Sequence, residues 1–278
     1  MLRSMLVGLD GSEYSTAAVK LGIRWARRLG AELMGLGILD APTICSPQLM
    51  PPGGSAYKAH RDASLILDAS LKVKQFVEDC ARRCSEAQVK CEVRQLAGPP
   101  AERIILEAQH SDVILLGQRT LFHFETQKQP DETLPKVIKQ SPRPVVAVPA
   151  RLPAEGRSVV VAYDGSSHAA RALQLFLVLG LDMSCDVHIV CVDSHQEQAV
   201  LCAEHAVAFL KTHKIEARSH AIGTSATPAQ IILEQAHKFQ ATLIVMGAYG
   251  RSTLREFSGV SVTHTMLQES PVPLFMYR

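Results

Sequence analysis

Apolar residues in this chain come in short unbroken runs, and each run gives way to a polar turn and then to a helical spacing. The first is Met5-Leu6-Val7-Gly8-Leu9. Such a run, without polar alternation, predicts a strand covered on both faces, as in a parallel sheet. Residues 32–39, 90–96, 113–116 and 144–149 predict four more strands. Between them the spacing turns helical. Ala17, Ala18, Leu21, Trp25 and Leu29 follow the first strand, with Ser12 or Ser15 placed to cap that helix and Gly30 to close it. Leu65, Leu67, Leu71, Val73, Phe76 and Val77 mark a long helix over residues 62–87, and Ile104, Ile105 and Val137 mark shorter ones. Residues 41–59 hold Pro42, Pro47, Pro51, Pro52, Gly53 and Gly54, which predicts a Pro-rich inserted loop. Residues 122–133 are polar and poorly patterned.

After a linker at residues 151–156 the pattern starts again. Residues 159–162 predict a strand, and Asp164-Gly165-Ser166 repeats Asp10-Gly11-Ser12. Residues 187–192 followed by Asp193 repeat residues 33–39 followed by Asp40. Gly223 with Ile231 and Ile232 answers Gly98 with Ile104 and Ile105. Residues 243–247 answer 113–117, and Ser270-Pro271-Val272-Pro273 answers Ser141-Pro142-Arg143-Pro144. The second copy lacks the insertion. Repetition at this level predicts two tandem α/β domains, residues 1–150 and 156–278. Alternating strands and helices predict that each is a doubly wound, mostly parallel five-stranded sheet of Rossmann-like type.

Composition narrows the function classes. The chain has 278 residues, 47% hydrophobic and 20% charged, enough for two buried cores. A net charge of +2 and 5% aromatic residues offer neither a basic field nor a base-stacking surface, so nucleic acid is not an expected partner. Residues 1–10 lack the pattern of a signal peptide, and no run approaches the roughly 18–20 apolar residues of a membrane span. The expectation is a cytoplasmic protein. Seven scattered cysteines fit a reducing compartment. Cys80 and Cys84 share a helix face, but neither has a Cys or His at a further ligand spacing, so they are expected to be packed thiols and no metal site is expected. The eleven histidines show no paired metal spacing either. No nucleophile elbow, Ser-His-Asp order or paired carboxylates suggest catalysis.

The chemistry-bearing stretch is Leu243-Ile244-Val245-Met246-Gly247-Ala248-Tyr249-Gly250-Arg251-Ser252. A strand that ends in a glycine turn and opens a helix presents free backbone N–H groups, which suit phosphate. A plain β–α connection needs the same glycines, and Asp10 and Asp164 can equally serve to cap the helices after them. Asp10, Gly117, Asp164 and Gly247 all follow strands, so each pair is expected at the carboxyl edge of its own sheet, where ligands sit in doubly wound folds.

On these residues the chain resembles a tandem member of the universal stress protein family, in the adenine-nucleotide α-hydrolase-like superfamily. The resemblance covers nearly the whole chain, once in each half. It implies that Asp164, and Asp10 in the first half, recognise adenine, with Val192 and Ile38 beside the ring. Nucleotide-binding members carry Gly, two residues, Gly, nine residues, then Gly and Ser or Thr. Gly247, Gly250, Val260 and Ser261 stand at those places, with Val260 where the third glycine belongs and Gly259 next to it. A β-branched residue there removes close backbone approach, and one lost charge-assisted bond of roughly 1.5–3 kcal/mol weakens binding about tenfold or more. Arg251 or Arg255 would supply compensating charge. In the first half Gly117 is kept, Thr120 replaces the second glycine, and the last pair falls within residues 129–132. Its phosphate cradle reads as lost. The resemblance thus implies a stress-response binding protein that is not an enzyme, beyond slow incidental ATP hydrolysis. It would hold ATP or ADP, with Mg²⁺ possible beside it, in the second half. The alternatives are a nucleotide-independent member that binds another small molecule or a protein, and an ATP-pyrophosphatase-type enzyme, whose Ser-Gly-Gly loop is replaced here by Asp-Gly-Ser. Family members pair their last strands across a dimer, so residues 145–148 and 274–277 are expected to pair the two halves within one chain.

Overall fold

The computed structural model describes residues 1–47, 54–123, 130–182, 185–249 and 261–278. The chain divides into two compact units, one of Arg3–Arg143 and one of Met1–Leu2 with Pro144–Arg278. The first unit runs β1 (Ser4–Leu9), α1 (Glu13–Leu29), β2 (Glu32–Leu39), α2 (Ala41–Ile44), α3 (Gly54–Glu86), β3 (Cys91–Ala97), α4 (Pro100–Glu107), a single 3-10 turn (Ala108–His110), β4 (Val113–Gly117) and α5 (Thr133–Gln140). The second runs β5 (Val145–Val148), β6 (Ser158–Ala162), α6 (Ser167–Val178), β7 (Asp186–Asp193), α7 (Gln196–Thr212), β8 (Ala217–Gly223), α8 (Pro228–Lys238), β9 (Leu243–Gly247), α9 (Val262–Glu269) and β10 (Leu274–Tyr277). Among the described residues no helix is long and apolar enough to cross a membrane.

Both units are doubly wound α/β sheets, as the run-and-helix pattern predicts. The strand order is β3-β2-β1-β4 in the first and β5-β10-β9-β6-β7-β8 in the second. Every ladder within them is parallel except that of β10 with β5, where Leu274, Phe275 and Met276 face Ala147, Val146 and Val145. Strands buried on both faces carry the apolar runs, so Leu6, Val7, Ile114, Leu115, Val160, Ile244 and Phe275 are all fully buried. β1 lies between β2 and β4, and β6 between β7 and β9. Strand order switches at those two places, and the carboxyl ends of three strands meet there in each unit.

Two local expectations change. Residues 41–59 are not one loop, because Ala41–Ile44 is helical and α3 begins at Gly54 rather than at residue 62. Pro42 sits in the first turn of α2, where its missing N–H has no intrahelical partner to lose, and the Asp40 carboxylate accepts from Thr43 N at 3.4 Å. The early turns of α3 are held by Asp62, which receives Lys58 one turn before it and Arg61 beside it. The rest of the proline-rich stretch, residues 48–53, lies outside the described residues. The helix expected to open after the glycine turn at Gly247 is described only as α9, from Val262, and residues 250–260 lie outside the description.

In the second unit β7 and β8 carry a ring stack. His188 of β7 and His220 of β8 are joined ring to ring, Nδ1 to Nε2 at 3.1 Å, and Phe239 lies on both, 4.1 Å and 4.5 Å between centroids. Partial burial is the main cause that holds both imidazoles below their ordinary 6.5, with Arg218 adding to it for His188 and His188 itself adding to it for His220. A histidine held low favours the neutral folded state. The stabilisation is complete above pH 6.5 and is lost as the pH falls through the lowered folded values. Chemical denaturation across acid pH is therefore expected to show the wild type losing more stability below pH 6.5 than a His220→Gln variant, with the two curves running parallel above it.

Candidate nucleotide site

The two Asp-Gly-Ser turns fold alike. In each the carboxylate accepts the serine N–H two residues on, 2.9 Å for Asp10 to Ser12 and 3.0 Å for Asp164 to Ser166. Gly11 and Gly165 between them have φ of +75° and +73°, a region that a side chain disfavours. Capping falls to serine rather than to aspartate. Ser12 Oγ accepts from Ser15 N at 3.1 Å and Ser166 Oγ from Ala169 N at 3.2 Å. That division of labour leaves the second carboxylate oxygen of each aspartate available for something else.

The strand that ends next to each turn must end in glycine. A Cβ on Gly117 would lie 2.5 Å from Tyr14 Cβ, and one on Gly247 would lie 2.6 Å from the backbone nitrogen of Ala169. The first turn of α1 or α6 packs directly on the strand end, with no space for a methyl group. These glycines are thus required by packing, whatever else the backbone there does.

Beyond that common frame the two units differ. In the first, Asp10 is 3% exposed, and its second oxygen accepts Leu121 N at 2.7 Å, while Ser12 Oγ reaches Oδ1 at 2.6 Å. Burial pushes its carboxyl above the usual value, and the bonds from Ser12 and Leu121 reduce that rise without cancelling it. The ring of Phe76 from α3 lies on the turn, since a Cβ on Gly11 would fall 2.1 Å from its Cζ. Phe122 is buried against Gly8. Asp131 fastens the segment after β4, accepting from Thr120 Oγ1 at 2.6 Å, Phe122 N at 2.6 Å and Thr133 N at 2.8 Å. His123 Nδ1 pairs with the Asp40 carboxylate at the end of β2. Ile38 and Gly117 are buried beneath this cover. Phe122, His123 and Asp131 fall in the stretch whose sequence shows no periodicity, so their joint role was visible only once β2 and β4 were neighbours of β1.

In the second unit Asp164 is exposed, and its only hydrogen bond among the described residues is the one from Ser166. A Cβ on Gly165 would meet nothing nearer than Cys202 Sγ at 3.6 Å. Val192 near the end of β7 is half-buried, and Gly247 ends β9. Because Ala162 of β6 pairs with Val190 on one side and Met246 on the other, Asp164, Val192 and Gly247 come to one edge. Ser261 is the N-cap of α9 and its side chain makes no capping bond. Thr263 Oγ1 accepts from Tyr249 N at 3.2 Å, tying the chain after β9 to that helix. His168, in the first turn of α6 beside Gly247, has a buried Nδ1 with no partner among the described residues. Nothing in its sequence spacing marked it. Gly250 and Val260 lie outside the described residues, as do Arg251 and Arg255.

Comparison with known proteins agrees with this architecture. The model of the universal stress protein family matches twice, over residues 1–149 and 156–278. Universal stress protein Slr1230 of Synechocystis is 24% identical over 167 residues, which is 60% of this chain and 58% of that protein. A universal stress protein structure from Archaeoglobus fulgidus superposes with a TM-score of 0.73 at 23% identity, over 99% of this chain and 98% of that one. A universal stress protein structure from Pseudomonas aeruginosa gives 0.60 at 14% identity, over 99% and 93%. At these identities the structural likeness speaks for the fold.

The cover over the first site has a pH signature of its own. The bond to Asp40 is the main cause that raises His123 above 6.5, with burial opposing it. Burial also opposes the lowering of Asp40, which the bonds from His123 and Thr43 outweigh. A histidine held high contributes stability that is fully present below pH 6.5 and is lost as the pH rises through the folded value. The stability difference between wild type and a His123→Asn variant is therefore expected to be larger at mildly acid pH than at alkaline pH, measured by urea unfolding. This is opposite in sign to the His188 and His220 pair.

Proposed function

Since the chain belongs to the universal stress protein family, we propose that it acts by binding, with an adenine nucleotide held at the carboxyl edge of β6, β7 and β9 as a regulatory ligand. The observation that carries this reading is the contrast between two copies of one turn. Asp10 is buried and its carboxylate fully engaged, whereas Asp164 is exposed with one oxygen that takes no hydrogen bond among the described residues. In this reading Asp164 accepts from the exocyclic amine of adenine, and Val192 lies against the ring. The chain that follows Gly247, with Gly250 next in the glycine motif, would offer backbone N–H groups to phosphate, and Ser261 donates its hydroxyl at the start of α9. His168 Nδ1 is a further polar group at that edge. Val260 in the place of a third glycine limits the number of phosphate bonds rather than the adenine contacts. ATP or ADP fits this division, with Mg²⁺ bridging the phosphates where it is present.

The repeats then take different roles, with residues 156–278 sensing and residues 1–150 acting as scaffold. The antiparallel ladder of β5 with β10 supports a self-pairing through the last strand of each repeat. A strand of four apolar residues with an open edge is a hazard that such pairing removes. No catalytic residue is assigned in this reading, and ATP hydrolysis would be incidental.

Calorimetric titration of ATP and ADP into the purified protein, with and without Mg²⁺, is the direct test. One site per chain is expected, weakened at least about tenfold by Asp164→Ala, the equivalent of roughly 1.4 kcal/mol, and weakened likewise by Gly250→Ala. Absence of heat up to millimolar nucleotide, or equal affinity in Asp164→Ala, would sink the reading.

A further inference from the structure

Away from the turn just described, the first unit brings three thiols together. Cys80 and Cys84 stand one turn apart on α3 and face the sheet, as their spacing requires, and Cys91 opens β3 beneath them. The three Sγ atoms all lie within 4.8 Å of one another. Cys80 and Cys84 are 1% and 0% exposed, and Cys91 is half-buried. The approach is made possible by Gly35 on β2, where a Cβ would stand 2.9 Å from Cys80 Sγ. Any larger residue there would push the helix, and the thiols with it, off the sheet.

We propose that Cys80, Cys84 and Cys91 form a three-thiolate site for one soft d¹⁰ cation, with monovalent copper the fit and zinc the competitor. Three sulfurs around one ion at bonds of about 2.3 Å stand about 4 Å apart, so the cluster needs only a small contraction. Soft sulfur ligands select copper(I) and zinc over the hard cations. Among the described residues no fourth His, Cys, Asp or Glu ligand atom joins the group. Zinc prefers four ligands, whereas copper(I) is satisfied by three thiolates in a site this dry. Binding forms three metal–sulfur bonds, changes no oxidation state, and releases the thiol protons to solvent. Cys80 also lines a cavity of about 240 Å³ between α1 and α3, with Ser15, Thr16, Gln75 and Asp79 among its walls.

The test uses the full chain, reduced without a thiol reagent and kept free of oxygen. Copper(I) is titrated against a chromogenic copper(I) chelator, and zinc against a zinc dye in a parallel arm. One copper(I) per chain, taken from the chelator and raising the melting temperature, is the expected result. Cys91→Ser and Cys84→Ser are expected to weaken it by more than the roughly 10–100-fold that outer partners of a metal site command. Cys45→Ser, an exposed thiol outside the cluster, leaves it unchanged. Circular dichroism of Cys91→Ser checks that the half-exposed position has not cost the fold. Zinc taken up with the same cysteine dependence would sustain the three-sulfur site and reassign its ion, with water completing the coordination. If the chelator and the dye keep both ions, or if Cys91→Ser binds at full strength, the proposal is overturned. It is also overturned if peptide mapping finds Cys91 disulfide-bonded in air while the reduced protein takes up neither ion.

Discussion

The contact on which the rest of this molecule depends is the seating of a helix against a parallel sheet at distances that leave no room for a side chain. It occurs at Gly117 and Gly247, where the first turns of α1 and α6 rest on the strand ends. It recurs at Gly35, where α3 brings Cys80 against β2. At the strand ends the consequence is that backbone amides and a helix N-terminus converge beside the Asp-Gly-Ser turn. At Gly35 the consequence is a thiol cluster in the core. One packing constraint therefore sets the geometry of both candidate sites.

The two repeats use the same turn to opposite ends because a carboxylate that leaves water has to replace its hydration with hydrogen bonds. Asp10 does so with Leu121 N and Ser12, and the segment that provides Leu121 is fastened by Asp131 and by the His123–Asp40 pair. Phe76 and Phe122 complete the seal with apolar surface. Asp164 has no counterpart to Leu121 among the described residues and stays in water. Duplication of a unit supplies two copies of a frame. Here a few side chains outside the frame decide that the first copy is covered.

Some of this was legible in the residue pattern. Unbroken runs such as Val113-Ile114-Leu115-Leu116 and Leu243-Ile244-Val245-Met246 mark parallel strands because burial on both faces is a local demand on every residue. The turn at Asp164-Gly165-Ser166, the cap at Ser12 and the close of α1 at Gly30 were equally readable, since each depends on φ and on hydrogen bonds within four residues. The helical turn Ala41–Ile44 was not. Proline density there resembled a loop, and only the cap from Asp40 distinguishes the first turn of a helix from one.

What the sequence by itself determined is thus the repeated α/β frame and the identity of the residues at the strand ends, because periodicity and turn chemistry act over a few positions. The tertiary structure alone decided which of those residues are available. Cys91 is seven residues beyond Cys84 and on another element, so no helical spacing joins it to the pair that shares a face of α3. His168 reads as one histidine among eleven until α6 sets it beside Gly247. Leu121 is 111 positions from the carboxylate it satisfies. Contacts of that kind arise from strand order and helix seating, which depend on the whole chain at once, and no local pattern encodes them.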